Sequence, residues 1–247
     1  MASKSTSLQK YVKLEKNQKL IEFAKENLNH IPSDDNNWER MISGMLYNPE
    51  AENLAITRMK TRDFQLDYGN FRFRDYKTTD EYSTAKREYL ETFIGHVGEG
   101  TFMEYPVYFD YGFNTYLGKN FYSNFNLTIL DCSIVKIGDN VLCGPNVSIL
   151  TPLHPIEPYL RLTPRKEVLE SAKPITIGNN CWLCSNCSIM ANVGNNCVIG
   201  ANSIVSKDIP DNSLFLGNKI IKILEETDTN ENIEALLKEY GFYDSRK

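Results

Sequence analysis

Histidine is scarce in this chain, with only His30, His96 and His154 among 247 residues. A catalytic zinc centre of the kind that needs several imidazoles is therefore hard to assemble, and no metal is expected. Long apolar runs are missing too. None approaches the ~20 residues that a membrane-spanning helix requires. The stretch from Met1 to Lys19 is polar and lysine-rich, without the apolar centre of a secretion signal, so a cytoplasmic location is expected. The sequons at Asn126, Asn146 and Asn186 then read as chance matches. A basic surplus is absent as well. The net charge is −5, which offers no general attraction for nucleic acid or an anionic membrane, and neither is expected as a partner. An anionic ligand would have to be met by a local cluster.

The most informative feature is a six-residue period. It runs Ile137, Cys143, Ile149, then Ile177, Leu183, Ile189, then Ile199 and Val205. A small residue often follows the marker, as at Gly138, Gly144, Gly178 and Gly200. Six fits neither an α-helix nor a lone strand, and it marks a parallel β-helix of hexapeptides. The period lapses between Leu150 and Pro174, and that gap holds His154. A regular scaffold interrupted by a loop with a titratable side chain is where chemistry is expected.

The six cysteines invite a metal reading, because Cys181, Cys184 and Cys187 stand three apart. The repeat supplies a plainer account. Cys143, Cys181, Cys187 and Cys197 fall on inward slots, where a free cysteine acts as a small hydrophobe. Cys184 falls on a corner and has no neighbouring histidine in sequence to activate it.

Four regions are expected. Residues 1–37 form an extension with an amphipathic helix over Leu8 to Leu28, read as a surface helix docked on the domain or a partner subunit. Glu15, Glu22 and Glu26 offset its lysines and weaken any reading as a membrane anchor. Residues 38–98 form a helical module. A short helix capped by Asn36 or Asn37 runs through Trp38, Met41, Ile42 and Met45. A second spans Glu50 to Asn70, and a third starts at Thr79-Asp80-Glu81, runs through Phe93 and is closed by Gly95 and Gly98. Residues 99–224 form the β-helix, beginning with short β-rich pieces between Gly, Asn and Asp corners and closing on a strand or short helix over 214–224. Residues 225–247 form a tail with a linker over Thr227–Asn230, a helix from Asn232 to Tyr240 and a basic end.

The ordered set Ser43-Gly-Met-Leu-Tyr47, Tyr105-Pro-Val-Tyr-Phe-Asp-Tyr-Gly-Phe-Asn114, Gly118-Lys-Asn-Phe-Tyr-Ser-Asn-Phe-Asn126, Gly144-Pro-Asn146, His154-Pro-Ile156, Lys173-Pro-Ile-Thr-Ile-Gly-Asn-Asn-Cys-Trp182 and Ser203-Ile-Val-Ser-Lys-Asp-Ile-Pro210 resembles the maltose and galactoside O-acetyltransferases, within the hexapeptide acyltransferase superfamily. The resemblance covers roughly residues 38–223. It implies a mainly β fold with a left-handed parallel β-helix, a homotrimer with sites between neighbouring subunits, acetyl-CoA as donor and a sugar or polyol as acceptor.

A sugar hydroxyl is a poor nucleophile at neutral pH and needs a base, and histidine titrates in the right range. On the residues alone His154 reads as a surface histidine fixed by Pro152 and Pro155; the resemblance implies the catalytic base. For the acceptor it implies Asp110, Tyr122, Asn124 and Asp131. Carboxylates and amides suit a polyol. Asn124 and Asp131 also read as corner residues bonded to their own backbone, and Tyr122 as ordinary packing. Glu170 stands where it can face the same cleft. For CoA, the matched positions are Trp182, Ser185, Ala201, Ser206 and Lys207: an aromatic residue, small residues along a groove and a cation for the phosphates. The enlarged loop from Leu160 to Glu170 is placed to reshape the acceptor pocket.

Two departures bear on the donor side. Ile189 to Ile199 spans ten residues where two repeats take twelve, and the turn Gly217-Asn-Lys-Ile220 is also short by two. A missing pair flattens a corner or removes a stacked strand segment, and the expectation is a displacement of several Å. It also gives a competing reading, a trimeric β-helix that has lost tight CoA binding and serves as a binding or scaffold module.

Overall fold

The computed structural model describes residues 7–223, 230–240 and 242. The polar start at residues 1–6, the linker read at 227–229 and the basic end at 243–247 lie outside them.

The chain from His96 to Leu216 winds as a three-sided parallel β-helix. The first sheet stacks His96–Val97, Thr115–Leu117, Val135–Ile137 and Ile175–Ile177. The second includes Phe102–Met103, Tyr122–Ser123, Leu142–Cys143, Trp182–Leu183, Val198–Ile199 and Ser213–Leu216. The third stacks Val107–Phe109, Leu127–Leu130, Ser148–Leu150, Ser188–Ile189 and Ile204–Val205. Alternation sets which side chains point inward. Val135 and Ile137 are buried and Lys136 between them is exposed, and every six-residue marker from Ile137 to Val205 is buried. Cys143, Cys181, Cys187 and Cys197 are inward filler, and no group of potential metal ligands occurs among the described residues.

The corners are made by asparagine. Asn120, Asn140, Asn180, Asn196 and Asn212 all have φ between 54° and 59°. Asparagine tolerates this left-handed region better than other side chains. Each of the first four also donates its amide to the next one's Oδ1, at 2.9–3.0 Å. A second ladder joins Asn126, Asn146 and Asn186, which accounts for the sequon positions as corner residues. Gly138 stands on the same corner as Asn140, where a Cβ would lie 2.9 Å from the Gly178 carbonyl carbon of the next coil.

The coils are unequal. Val97 is matched by Leu117 and then Ile137, twenty residues apiece; Ile177 is matched by Val193 and then Ile209, sixteen apiece. The missing residues come from the corner between the third and first sheets. There the three-residue strand shrinks to single bridges at Val193 and Ile209. The neighbouring pairings Trp182–Val198 and Ser188–Ile204 keep register, so the shortening is absorbed within one corner and the expected displacement does not spread to the other two sheets. The other short turn, at Gly217, is a hairpin. The segment Lys219–Ile223 folds back antiparallel on Ser213–Leu216 and closes the coil as a strand.

The helices precede the coil and lean on it. They are α1 (Gln18–Asn27), α2 (Asn36–Ile42), α3 (Glu52–Tyr68) and α4 (Thr79–Leu90); a fifth, α5 (Asn230–Glu239), follows. The helix read over Leu8–Leu28 is instead a 3₁₀ turn, Ser7–Tyr11, an extended piece and α1. Asn17 is the reason: its Oδ1 accepts the Leu20 N–H at 3.2 Å and starts a new helix, and Val12 and Leu14 face solvent. The cap of α2 is Asp35, not Asn36 or Asn37; its carboxylate accepts the Asn37 N–H at 2.7 Å. The second helix is shorter than expected, and Met59 and Leu66 on it are exposed. The third stops at Leu90, three residues before Phe93. Two apolar clusters result. One fills the coil and takes in Tyr68, Leu90, Phe93 and Ile94. The other joins Ile21, Ala24, Trp38, Met41, Ile42 and Leu54 to Tyr111, Phe113 and Ile134 of the coil. Helices α1 to α4 thus bury apolar residues against the coil, α1 and α2 beside the corner that carries His154. No described helix is long and apolar enough to cross a membrane.

Candidate active site

The lapse in the repeat is an excursion from the corner between the third and first sheets. Pro152–Leu153 and Ser171–Ala172 pair antiparallel at its base, and His154 follows at once. The His154 imidazole lies at a cavity of about 390 Å³ lined also by Glu170, Asp110, Cys132, Arg58 and Arg62. His154 Nδ1 is 3.1 Å from the Leu169 carbonyl oxygen. A carbonyl only accepts, so Nδ1 carries the proton and the Nε2 lone pair is the free basic site. Nε2 lies 3.5 Å from Glu170 Oε2. The other Glu170 oxygen accepts from the Tyr47 hydroxyl, and Tyr47 N–H donates to the Glu170 carbonyl at 3.1 Å. Burial, foremost, and the nearby Cys132 and Glu170 push the Tyr47 phenol far above its ordinary value, so it remains a donor. This arrangement aims a carboxylate at the nitrogen that would take up a proton.

Asp110 stands on the same cavity. Burial raises its carboxyl, and this is partly offset by the Cys132 thiol, which donates to Oδ2 at 3.5 Å, and by the cations Arg58 and Arg62. Burial also drives the Cys132 thiol well up, so it is a donor and no nucleophile. Arg58 is fixed from behind by the Pro49 carbonyl at 2.6 Å and the Tyr111 hydroxyl at 2.8 Å. A pocket with three carboxylates (Glu50 also lines it), two guanidinium groups, a thiol and an imidazole can hold several hydroxyls at defined angles and accept a proton from one of them.

Asp131 requires a correction. Its exposure is 0%, and it is spent inside the corner. Oδ1 accepts the Tyr111 N–H at 2.9 Å and Oδ2 accepts the Thr115 hydroxyl at 3.1 Å. Burial pushes this carboxyl up to about 7, opposed by those bonds. It braces the backbone and does not line the cavity; the neighbouring Cys132 does. Sequence reasoning also missed Tyr47, Arg58, Arg62 and the Leu169 carbonyl.

The remaining expected residues lie elsewhere. Tyr122 and Trp182 share the outer face of the second sheet, on either side of Leu142, and Trp182 is 52% exposed. Asn124, Ser185 and Ala201 follow on the corner between the second and third sheets; the Asn202 N–H donates to the Ser185 carbonyl at 3.0 Å. Exposed Ser206 and Lys207 lie across the third sheet, on the shortened corner. None of these seven residues lines the cavity of His154. Within one chain the structure brings together His154, Asp110 and Glu170, and separately Tyr122, Asn124, Trp182, Ser185 and Ala201.

Comparison with known proteins gives the following. Residues 40–98 match the maltose acetyltransferase hexapeptide capping motif, and residues 174–207 match the bacterial transferase hexapeptide of six repeats. The galactoside O-acetyltransferase of Escherichia coli K12 is 39% identical over 156 residues, 63% of this chain and 71% of that protein. The sophorolipid acetyltransferase of Starmerella bombicola is 33% identical over 168 residues, 67% of this chain and 63% of that protein's length. Among solved structures, a maltose O-acetyltransferase from Clostridium difficile 630 superposes with a TM-score of 0.68 at 35% identity, over 77% of this chain and 98% of that one. A galactoside acetyltransferase in complex with coenzyme A does so with a TM-score of 0.68 at 36% identity, over 78% and 92%.

Proposed function

The chain belongs to the family of the galactoside and maltose O-acetyltransferases, and from that premise we propose that it moves an acetyl group from acetyl-CoA to a sugar hydroxyl, with His154 as general base. One observation carries the assignment of the base: the Leu169 carbonyl fixes the Nδ1 proton and leaves Nε2 open beside Glu170.

The reaction is a direct transfer. The acceptor hydroxyl gives its proton to Nε2 as its oxygen attacks the thioester carbonyl carbon. The tetrahedral intermediate collapses, the C–S bond breaks and the departing thiolate takes the proton back from the imidazolium. The products are the acetyl ester and CoA, and no covalent enzyme intermediate forms. Glu170 stabilises the imidazolium while it exists. Base catalysis of this kind contributes about 10²–10⁴-fold. Asp110, Cys132 and the two arginines hold the remaining hydroxyls.

The donor fits the other group of residues. Trp182 and Leu142, each about half exposed, offer an apolar wall for an extended arm, and Ser185 and Ala201 leave room beside it. Lys207 supplies a cation for phosphate. That these residues do not line the cavity of His154 supports the reading, implied by the family, of a homotrimer in which two copies build each complete site. Tyr122 and Asn124 then approach the acceptor from the neighbouring copy.

Purified protein incubated with acetyl-CoA and a panel of sugars is expected to release free thiol with at least one of them and to yield an acetylated sugar by mass spectrometry. Release of no thiol with any sugar would remove this reading.

A further inference from the structure

The segment before α1 lies outside the residues matched by the family models, yet it reaches the loop that carries His154. Tyr11 is the point of contact. Its hydroxyl donates to Glu157 Oε2 at 2.7 Å and accepts the Ile156 N–H at 3.0 Å. Each role is fixed, because a carboxylate only accepts and an amide N–H only donates. Ile156 and Glu157 are two and three residues beyond His154. Around them, Lys10 pairs with the same carboxylate and Ser7 Oγ lies 3.1 Å from the Tyr159 hydroxyl.

Within the loop the Arg161 guanidinium donates to the Pro155 and Ile156 carbonyls at 3.1 Å each, and Pro155 is buried. The Ile156 and Tyr159 side chains are 80% and 70% exposed, and the Ile156 N–H is held from outside the loop, by Tyr11. The segment itself is well anchored. Lys13 Nζ donates to the Ser43 carbonyl at 2.6 Å, the Asn17 N–H donates to Ser43 Oγ at 2.9 Å, and Lys16 pairs with Glu39 at 2.6 Å. Behind that anchor, Ser133 Oγ of the coil donates to the Ile42 carbonyl at 2.9 Å. A continuous chain of bonds thus runs from the coil through the end of α2 and the N-terminal segment to the residue two beyond His154.

We infer that Tyr11 is a positioning residue: its hydroxyl straps the N-terminal segment to Ile156 and Glu157 and so holds the loop in which His154 meets the acceptor. This rests on the reading of His154 as the base. The two hydrogen bonds matter more than the ion pair beside them. Lys10 is 53% exposed in that pair, and such surface pairs contribute little. The Tyr11 bonds fix a backbone amide and a carboxylate at once, and a small misplacement of a catalytic group is expensive in rate.

The test compares the full-length wild type with Tyr11→Phe, Lys10→Ala and Glu157→Gln. Phenylalanine keeps the ring and removes only the hydroxyl. Two measurements are made on each: hydrogen exchange at the Ile156 amide, and steady-state kinetics of acetyl transfer. Tyr11→Phe is expected to speed Ile156 exchange and to lower kcat about tenfold, with KM for acetyl-CoA unchanged. Glu157→Gln keeps an acceptor for the hydroxyl and is expected to stay within about threefold of wild type, as is Lys10→Ala. Unchanged exchange in Tyr11→Phe overturns the strap. Faster exchange with unchanged kcat overturns the positioning role. If the wild type transfers acetyl to no sugar, the functional reading fails by itself, and Ile156 exchange still decides whether Tyr11 holds the loop.

Discussion

Asp131 offers the sharpest test of which residues brace the site and which touch the acceptor. Asp131→Ala would leave the Tyr111 N–H and the Thr115 hydroxyl without their partner, and both residues are essentially sealed, at 1% and 0% exposure. Each orphaned buried group costs about 1–3 kcal/mol, so a loss of about 4 kcal/mol is expected. For a chain of this size, 1 kcal/mol moves Tm by about 2–4 °C, which places the drop near 8–16 °C. Asp131→Asn keeps an oxygen for the Tyr111 N–H and offers an amide donor to Thr115, and its loss should stay below about 1 kcal/mol. The pH dependence separates the two further. The Asp131 carboxyl is pushed up to about 7, above its unfolded value near 3.8. An acid raised in the folded state favours the protonated form there. Its contribution is therefore complete below about pH 4 and is lost as pH rises to about 7, where it levels off. Across that window the wild type should lose stability relative to Asp131→Asn by a few kcal/mol, read by thermal melts at constant ionic strength. The reasoning is refuted if Asp131→Ala melts within 2 °C of wild type. It is equally refuted if Asp131→Asn raises the acceptor KM by more than about tenfold at unchanged Tm, since that is the behaviour of a ligand-binding carboxylate.

Three other outcomes are expected. Glu170→Gln should lower kcat by about tenfold while leaving KM for acetyl-CoA alone, because the carboxylate at 3.5 Å from Nε2 stabilises only the protonated imidazole; equal kcat in steady-state assays would contradict this. Trp182→Ala should weaken acetyl-CoA binding by about 5–30-fold in calorimetry, the loss of one apolar wall, and unchanged affinity would move the donor away from this face. Lys86 is buried among Tyr68, Tyr82 and Phe102, and burial lowers its ammonium to about 8. The charged form is thus disfavoured on folding, and stability should rise as pH goes from about 8 to 10.5. Lys86→Met should therefore stabilise the protein at pH 7, by about 1 kcal/mol after allowing for screening, since Tyr68 still donates to the Met103 carbonyl that Lys86 shares; a lower Tm for this variant would show that the aromatic contacts outweigh the burial.

Much of the coil is legible in the sequence because its side chains obey one period. Ile137, Leu183 and Val205 mark the inner wall, and the αL corners need asparagine or glycine. The period fails where the corner between the third and first sheets changes length. From Ile129 to Ile137 the inward step is eight residues rather than six, so the hexapeptide rule cannot say whether Asp131 or Cys132 faces out. The structure turns Asp131 in and Cys132 toward the cavity. The helix starts were blurred for a different reason. Asp35, Asn36 and Asn37 are all good caps, and only the geometry of the preceding turn chooses Asp35. Tyr47 and Glu170 are 123 residues apart in sequence and meet only because α2 docks on the loop's base. The Leu169 carbonyl, which sets the tautomer of His154, is backbone and leaves no trace in residue identity. His154, Asp110 and Glu170 share one cavity, while the positions expected to hold CoA do not line it: Trp182, Ser185 and Ala201 lie on the second sheet and its corner with the third, and Ser206 and Lys207 on the shortened corner of a later coil.

The central claim is that His154 takes the acceptor's proton. The most direct measurement is kcat for acetyl transfer by His154→Ala beside wild type, with the best acceptor from the sugar panel and with CoA affinity measured on both proteins. The account predicts a fall of about 10²–10⁴-fold in kcat at unchanged CoA affinity and unchanged Tm. A variant that keeps more than about a tenth of the wild-type kcat would contradict it.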